Sequence, residues 1–239
     1  MAKKILVFKH MPSQNPGIFR ELAEARDIEF YEIDLHAGDQ IPDIENFDAL
    51  WVMGGSMNVW QEREYPWLID EKRTIRHAVE ELRMPFFGIC LGHQLLADAL
   101  GGKVEKANDH EIGVFDVMPT AAGINHPLLS NLPVVMQWVN VHLVEVTRAP
   151  EQAIILAESR ACKNHIMQIG RHAYSCEFHP EVCTYTLDEW MKIPGIPEVL
   201  EELIGTDGLQ HFKRSIADNL PAHNAAATQL FDNWIGLVF

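Results

Sequence analysis

Hydrophobic and polar positions follow two alternating patterns along the first hundred residues. Short apolar runs of the kind that form buried strands are separated by stretches with helical spacing. The runs predict strands at 5–8, 28–33, 50–53 and 85–89. The stretches between them predict helices at 17–25, 65–83 and 91–100. Strands that alternate with helices are typical of βαβ units, so we expect an α/β fold with a largely parallel sheet and helices on both faces.

The second half of the chain begins with β patterns and ends with helical ones. Further strands are predicted at 113–117, 134–146, 154–157, 166–169 and 173–178. Helices are predicted at 208–220 and 225–237, with Pro221 between them as a break. The sequence contains no internal repeat or low-complexity linker. We therefore predict one domain over 1–239, in which 186–239 forms a helical C-terminal cap.

Composition and charge narrow the possible classes of partner. The chain has 19 Lys and Arg against 34 Asp and Glu, a formal net charge of −15. Nucleic-acid binding depends on clustered basic residues, so nucleic acid is not an expected partner. No apolar run approaches the roughly 18–20 residues of a membrane span, and the run 5–8 is too short for a secretory signal. The four cysteines predict free thiols in a reducing, cytoplasmic compartment.

Cys90 is the strongest candidate nucleophile. It stands in Gly88-Ile89-Cys90-Leu91-Gly92, between a predicted strand and a predicted helix. Glycines on both sides permit a sharp strand-to-helix turn that lifts the nucleophile above the sheet. The start of a helix favours a thiolate, and the backbone N–H of Leu91 would face an oxyanion. The alternative is a buried structural cysteine that happens to lie between glycines.

His179 and Glu181 are the candidate base and its partner. They belong to Phe178-His179-Pro180-Glu181, directly after a predicted strand. Pro180 favours an extended backbone at His179, and Glu181 is close enough to orient the imidazole. Cys, His and Glu supply the nucleophile, the general base and the orienting group of a catalytic triad. Gly54 and Gly55 follow another strand and suit a loop whose N–H groups face an oxyanion, although an ordinary turn would use the same residues.

Several segments in order resemble class I (triad-type) glutamine amidotransferases, and most closely the stand-alone proteins similar to the glutaminase domain of GMP synthetase. The resemblance covers about residues 1–185. It rests on the segments 54–57, 64–67, 88–97, 111–113 and 177–181. It implies a Rossmann-like, flavodoxin-type fold with a mixed sheet.

The resemblance also implies a reaction. Cys90 attacks the γ-carboxamide of glutamine, ammonia leaves, and water hydrolyses the γ-glutamyl thioester, with His179 moving the proton and Glu181 holding His179. The oxyanion donors of the family correspond to the backbone of Gly55 and Leu91. Its glutamine-holding side chain corresponds to Gln94, one helical turn after the nucleophile. Gly54 and His142 are further candidate contacts of the substrate.

Three departures from the family pattern concern the substrate. The segment 137–144 carries His142 in a displaced position, and Val144 stands where an Asp is expected. Ser56 replaces the usual Pro after Gly54-Gly55, and Glu177 replaces the Gln that commonly precedes Phe-His-Pro-Glu. None of these changes removes a member of the triad, but they leave the identity of the amide open.

The sequence contains no P-loop and no Rossmann G-x-G-x-x-G after a strand, and no cofactor is predicted. Two functions therefore stay open: a glutaminase that passes ammonia to a separate synthetase subunit, and a free-standing hydrolase of γ-glutamyl amides or peptides. A catalytically silent binding protein on the same fold and an intracellular cysteine peptidase are weaker alternatives.

Two histidine patterns suggest other chemistry. The spacing of Cys162, His165, His172 and Cys176 is compatible with zinc, but a hairpin explains it better, so no metal is predicted. His93 lies in the helix after the nucleophile and is expected to pack there instead of acting as the base.

Overall fold

The computed structural model describes residues 2–193 and 195–239, and within them nine strands form one mixed sheet. The strands are β1 (Lys3–Lys9), β2 (Ile28–Asp34), β3 (Ala49–Val52), β4 (Phe86–Ile89), β5 (Lys103–Pro119), β6 (Met136–Arg148), β7 (Ala153–Glu158), β8 (Ile166–Ile169) and β9 (Ala173–Cys176). Their order across the sheet is β2-β1-β3-β4-β9-β8-β7-β5-β6. Along this order, neighbouring strands are parallel from β2 across to β9. They are antiparallel from β9 across to β6.

The helices are α1 (Phe19–Glu24), α2 (Trp67–Arg76), α3 (Leu91–Ala99), α4 (Thr186–Trp190) and α5 (Ile196–Val238). A π-helical stretch at His77–Glu81 continues α2, so the helix predicted at 65–83 is confirmed over most of its length. No helix in the described part of the chain is both long and apolar enough to span a bilayer.

Strand β1 shows why the central strands read as continuous apolar runs. Leu6 and Phe8 point to the face that α2 and α3 cover. Ile5 and Val7 point to the opposite face, where they join a cluster with residues of α1 and α5. Because successive side chains of a strand alternate between faces, a strand covered on both sides needs apolar residues at every position.

The prediction that Pro221 separates two C-terminal helices is wrong. Helix α5 continues through Pro221, and its non-helical residue is Gly205, with φ 74° and ψ 165°. An internal proline removes one helical hydrogen bond and costs about 3 kcal/mol. Burial on both sides of Pro221 offsets this cost, since Phe212 and Ile216 precede it and Phe231 and Trp234 follow it in apolar clusters.

Strand β5 is longer than its predicted core at 113–117. Its first part, 103–110, is rich in charged residues and is exposed at many positions, so it carries no strand-like apolar alternation. Pairing with β6 nevertheless includes Lys103, and the register shifts between Lys106 and Glu111. After this irregularity Glu111 is buried and paired with His142 in the sheet.

Substitution of Trp234 measures how much the packing of α5 contributes to the free energy of unfolding. Its ring makes edge contacts with Trp51 and Phe87, its Nε1–H donates to the carbonyl of Phe86 at 3.3 Å, and it is 1% exposed. Trp234→Ala should lower the free energy of unfolding in urea by about 3–5 kcal/mol. Trp60→Ala is the control, since Trp60 is 47% exposed and should change it by no more than about 0.5 kcal/mol. Equal effects of the two changes would contradict this packing.

Candidate active site

Three neighbouring parallel strands bring the predicted site residues to one edge of the sheet. Strands β3, β4 and β9 are adjacent and parallel, so their carboxyl ends meet at the same edge. Gly54 comes two residues after β3, Cys90 directly after β4, and His179 three residues after β9. Open α/β sheets bind their ligands at such carboxyl ends.

Cys90 occupies a strained turn between β4 and α3. Its φ of 50° and ψ of −105° are unusual for a residue with a side chain, and its N–H donates to the carbonyl of Cys176 at 2.8 Å. A Cβ at position 92 would overlap the carbonyl oxygen of Val52, and one at Gly88 would lie 2.7 Å from the carbonyl oxygen of Gly92. Both flanking positions therefore require glycine, and the strand–turn–helix predicted around Cys90 is confirmed.

His179 lies between the thiol and a carboxylate. Its Nδ1 is 2.7 Å from Oε1 of Glu181, and its ring lines the same cavity as Cys90, close enough for each of these two groups to shift the pKa of the other. The backbone N–H of His179 donates to the carbonyl of Val139 at 2.8 Å, and Trp190 packs edge-on against the ring at 5.0 Å. All three residues of the predicted triad are buried, and His179 lies next to both Cys90 and Glu181.

Burial and neighbouring charges shift the pKa values of Cys90 and His179 in opposite directions. Burial raises the pKa of the Cys90 thiol, and His179 opposes that rise. Burial alone would lower the pKa of His179, but Glu181 and Cys90 together raise it well above its ordinary value. The imidazole is therefore a strong base placed against a weakly acidic thiol, which suits transfer of the proton during attack on a carbonyl.

Gly55 and Leu91, the two residues predicted to supply the oxyanion donors, are neighbours in the structure. A Cβ on Gly55 would lie 2.7 Å from Cδ2 of Leu91, and Gly55 lines the same cavities as Cys90. Leu91 is the first residue of α3, so its N–H is among those that find no acceptor within the helix. Gly54 lies one residue further back, against the ring of His179.

Two cavities flank Cys90. The larger, about 360 Å³, is lined by Gln94 and His142 and by apolar side chains that include Val141, Val144 and Leu203. The smaller, about 100 Å³, lies beside His179. Besides Gln14 and Ser56, its lining is mostly apolar, namely Met11, Val141, Trp190, Ile193, Ile196 and Leu200. Among the described residues, no Asp, Glu, Lys or Arg lines either cavity. Sequence reasoning did not find the contribution of α5 to these walls, because nothing in its pattern points to the site.

Gln94 is held in one orientation by Glu177. Its Nε2 donates to Oε1 of Glu177 at 2.7 Å and to the carbonyl of Val144 at 3.1 Å. Both amide hydrogens are therefore used, which leaves the amide oxygen to face the cavity that Gln94 lines. Glu177 is fully buried, and burial raises its pKa to about 7. The replacement at position 177 was visible in the sequence, but its contact with Gln94 was not.

A hydrogen-bonded cluster lies behind His142. Oε2 of Glu111 is 3.1 Å from Nε2 of His142 and 2.9 Å from Nε2 of His165, and its Oε1 accepts from Ser159 at 2.7 Å. Within the described residues this is the group whose ligand atoms are close enough to hold a metal ion. The same distances also fit hydrogen bonds, in which the N–H groups of the two imidazoles donate to one oxygen of Glu111 and no ion is needed.

The zinc pattern considered in the sequence does not assemble. His172 faces the carbonyl of Val79 at 2.9 Å, whereas His165 faces Glu111. His93 is buried in α3 with Nδ1 2.9 Å from Oγ of Ser175, and burial together with His165 and His142 lowers its pKa to about 3. It lines neither cavity beside Cys90.

The family model described as glutamine amidotransferase class-I matches residues 13–191. Because this match covers more than half of the 239 residues, the chain belongs to the class I glutamine amidotransferase family. The family predicted from the sequence is thereby confirmed.

Three curated relatives illustrate the range of the family. The glutamine amidotransferase-like protein YfeJ of Salmonella typhimurium is 31% identical over 216 residues, which are 87% of this chain and 86% of the relative. A glutamine-hydrolysing GMP synthase subunit of Halobacterium salinarum is 34% identical over 70% of this chain and 86% of its own. Gamma-glutamyl peptidase 3 of Arabidopsis thaliana is 26% identical over 58% of this chain and 56% of its own.

The fold is shared with solved structures. A glutamine amidotransferase from Thermotoga maritima superposes with a TM-score of 0.86 at 22% identity, over 98% of this chain and 99% of that chain. This likeness confirms the predicted Rossmann-like mixed α/β fold of class I glutamine amidotransferases.

The pKa of Glu177 predicts how stability depends on pH. Between its ordinary value and about 7, the folded protein holds a proton that the unfolded chain has released, so rising pH destabilises the fold across this window. Glu177→Gln keeps an acceptor for Gln94 and removes this titration. From pH 5 to pH 8, the free energy of unfolding in urea should fall by up to about 3 kcal/mol more in the unsubstituted protein than in Glu177→Gln. If the two proteins differ in free energy of unfolding by the same amount at pH 5 and at pH 8, the burial of the Glu177 charge is contradicted.

Proposed function

We propose that Cys90 hydrolyses the γ-carboxamide of glutamine or of a γ-glutamyl amide through a γ-glutamyl thioester. The observation that carries this proposal is the buried ring of His179, which lines one cavity together with Cys90 and has its Nδ1 2.7 Å from Glu181. Membership of the class I glutamine amidotransferase family supports the same chemistry.

The proposed reaction has two halves. In the first, the thiol proton passes to His179 as sulfur attacks the amide carbon, and the oxyanion accepts hydrogen bonds from the N–H groups of Gly55 and Leu91. The C–N bond then breaks, and His179 returns its proton to the leaving nitrogen. In the second half His179 takes a proton from water, which attacks the thioester carbon. The C–S bond then breaks, and His179 returns the proton to the Cys90 sulfur as glutamate leaves. Gln94 and His142 contact the acyl part in the larger cavity.

Relatives named as glutamine-hydrolysing GMP synthase subunits support a first specialisation, in which the ammonia passes to a separate synthetase subunit. The substrate is then free glutamine, and the protein acts as the glutaminase component of an amidotransferase. Four cysteines that all lie as free, buried thiols support a reducing, cytoplasmic setting for it.

The smaller cavity favours a second specialisation, a free-standing hydrolase of substituted γ-glutamyl amides. Because His179 must protonate the leaving nitrogen, the cavity beside His179 receives the amine. Its walls include Trp190, Ile193 and Leu200, which suit an alkyl or aromatic substituent better than ammonia. The relative named gamma-glutamyl peptidase supports this specialisation.

Replacement of the nucleophile tests the proposal shared by both specialisations. Cys90→Ala should lower kcat by about 10⁴-fold or more, because no other thiol stands against His179. The measurement is release of glutamate from glutamine and from γ-glutamyl-ethylamide by the purified chain. Cys183→Ala is the matched control, since this buried thiol lines neither cavity and should leave the rate unchanged. Turnover retained by Cys90→Ala would refute the proposal.

Alkylamides of increasing length separate the two specialisations. If the smaller cavity receives the amine, kcat/KM should rise by about 60-fold from γ-glutamyl-methylamide to γ-glutamyl-butylamide, since each of the three added methylenes contributes about 0.8 kcal/mol when buried. Ile193→Ala should reduce this increase, whereas Val199→Ala, which lines only the larger cavity, should not. Faster turnover of glutamine with no dependence on alkyl length would favour the glutaminase instead.

A further inference from the structure

A buried histidine touches the loop that carries a proposed oxyanion donor. His10 directly follows β1, and β1 lies beside β3 in parallel, so the residues after the two strands meet. The N–H of Met53 donates to the carbonyl of Phe8 at 3.0 Å and fixes this junction. Nδ1 of His10 is 2.9 Å from the carbonyl oxygen of Gly54.

The other ring nitrogen of His10 faces a carboxylate from helix α2. Its Nε2 is 2.8 Å from Oε1 of Glu71, and both side chains are fully buried. Since each ring nitrogen lies at hydrogen-bonding distance from an oxygen, we assign a hydrogen to both, which makes His10 an imidazolium. Burial lowers the pKa of His10, but Glu71 and the carbonyls of Gly54 and Met53 together raise it above its ordinary value. Trp67 stacks on the ring at 5.4 Å and 14°, which also favours the cation.

This contact acts on Gly55 through the geometry of one peptide unit. The carbonyl of Gly54 and the N–H of Gly55 belong to the same planar, trans peptide and point in opposite directions. A donor that holds the Gly54 oxygen therefore fixes the direction of the Gly55 N–H. A positive donor also polarises the peptide, which makes its N–H a stronger hydrogen-bond donor.

Stability alone is a weak reason for this pair. A buried ion pair is often no more stabilising than apolar side chains of the same volume. Oε2 of Glu71 is buried and finds no partner among the described residues, which adds a cost. Neither His10 nor Glu71 lines the cavities beside Cys90, so neither touches a substrate there.

We propose that His10 and Glu71 are positioning residues that hold the Gly54–Gly55 peptide with the Gly55 N–H directed at the oxyanion, and that the charge of His10 strengthens this hydrogen bond. The proposal rests on the proposed attack by Cys90. It predicts an effect on the transition state and on any bound oxyanion, with little effect on binding of the uncharged amide.

Two substitutions separate the charge from the geometry. In Glu71→Gln the new amide donates to Nε2 of a neutral His10, whose Nδ1–H still donates to Gly54, so the contact is kept and the charge is lost. His10→Ala removes both. His77→Ala is the matched control, because His77 forms a similar pair with Glu81 at 3.0 Å on the exposed continuation of α2.

Three probes of each variant report on different properties of the site. The first is kcat and KM for glutamine and γ-glutamyl-ethylamide. The second is inhibition by glutamate γ-semialdehyde, whose aldehyde carbon forms a bond to the Cys90 sulfur and whose oxygen then mimics the oxyanion. The third is alkylation of Cys90 by iodoacetamide, which needs the thiolate but no oxyanion donor.

We expect kcat to fall by about 10-fold in Glu71→Gln and by about 10²–10³-fold in His10→Ala, the loss typical of one oxyanion donor. KM should stay within about 3-fold, affinity for the semialdehyde should fall in proportion to kcat, and alkylation should be unchanged. His77→Ala should match the unsubstituted protein in all three. If His10→Ala does not fold, Glu71→Gln still gives the test.

Unchanged kcat and semialdehyde affinity in Glu71→Gln would overturn the role of the charge, and the same result in His10→Ala would overturn the proposal entirely. A parallel fall in all three probes would show a merely structural role and also overturn it. Absence of both turnover and a semialdehyde adduct in the unsubstituted protein would overturn the proposed function, and this inference with it. Variants that lose semialdehyde affinity while alkylation persists support the proposal even where amide turnover is slow.

Discussion

The closeness of helix α3 to the sheet is the constraint on which the proposed site depends. Gly92 lies so near the carbonyl of Val52 that no side chain fits, and this contact holds Cys90 in a backbone conformation that is unfavourable for a residue with a Cβ. The turn then directs the first N–H groups of α3 toward the edge of the sheet at which β3 ends and the Gly54–Gly55 loop begins. The backbone thus supplies both the position of the nucleophile and its polar surroundings, before any side chain beyond Cys90 is involved.

The carboxylates near the proposed site lie behind the side chains that line the cavities and do not themselves line them. The walls beside Cys90 carry no Asp, Glu, Lys or Arg among the described residues, yet three buried carboxylates lie directly behind them: Glu181 on His179, Glu177 on Gln94, and Glu111 on His142. Each carboxylate orients a neutral or cationic side chain that itself faces the site. A substrate therefore meets oriented dipoles in apolar surroundings, where such dipoles act more strongly than in water.

Local patterns predicted the features that depend on neighbours in sequence. The buried strands, the turn at Cys90 and the contact of His179 with Glu181 all lie within a few residues, so composition and spacing reveal them. The contacts of His10 with Glu71 and of Gln94 with Glu177 join residues 61 and 83 positions apart, and only the packing of helices α2 and α3 on the sheet brings them together. The helix through Pro221 was missed for a related reason, because tertiary packing outweighs the local cost of the proline.

The two ends of α5 have different surroundings. Ile196, Val199, Leu200 and Leu203 precede Gly205 and line the cavities, whereas Ala227, Leu230, Phe231 and Trp234 follow it and join the apolar cluster beneath the sheet. Between these two groups, Phe212 and Ile216 pack in one apolar cluster with Leu200, so the helix is continuous in its packing across Gly205. Changes at Val199 and Leu203, which lie outside that cluster, can therefore reshape the larger cavity while Phe231 and Trp234 keep their packing in the core.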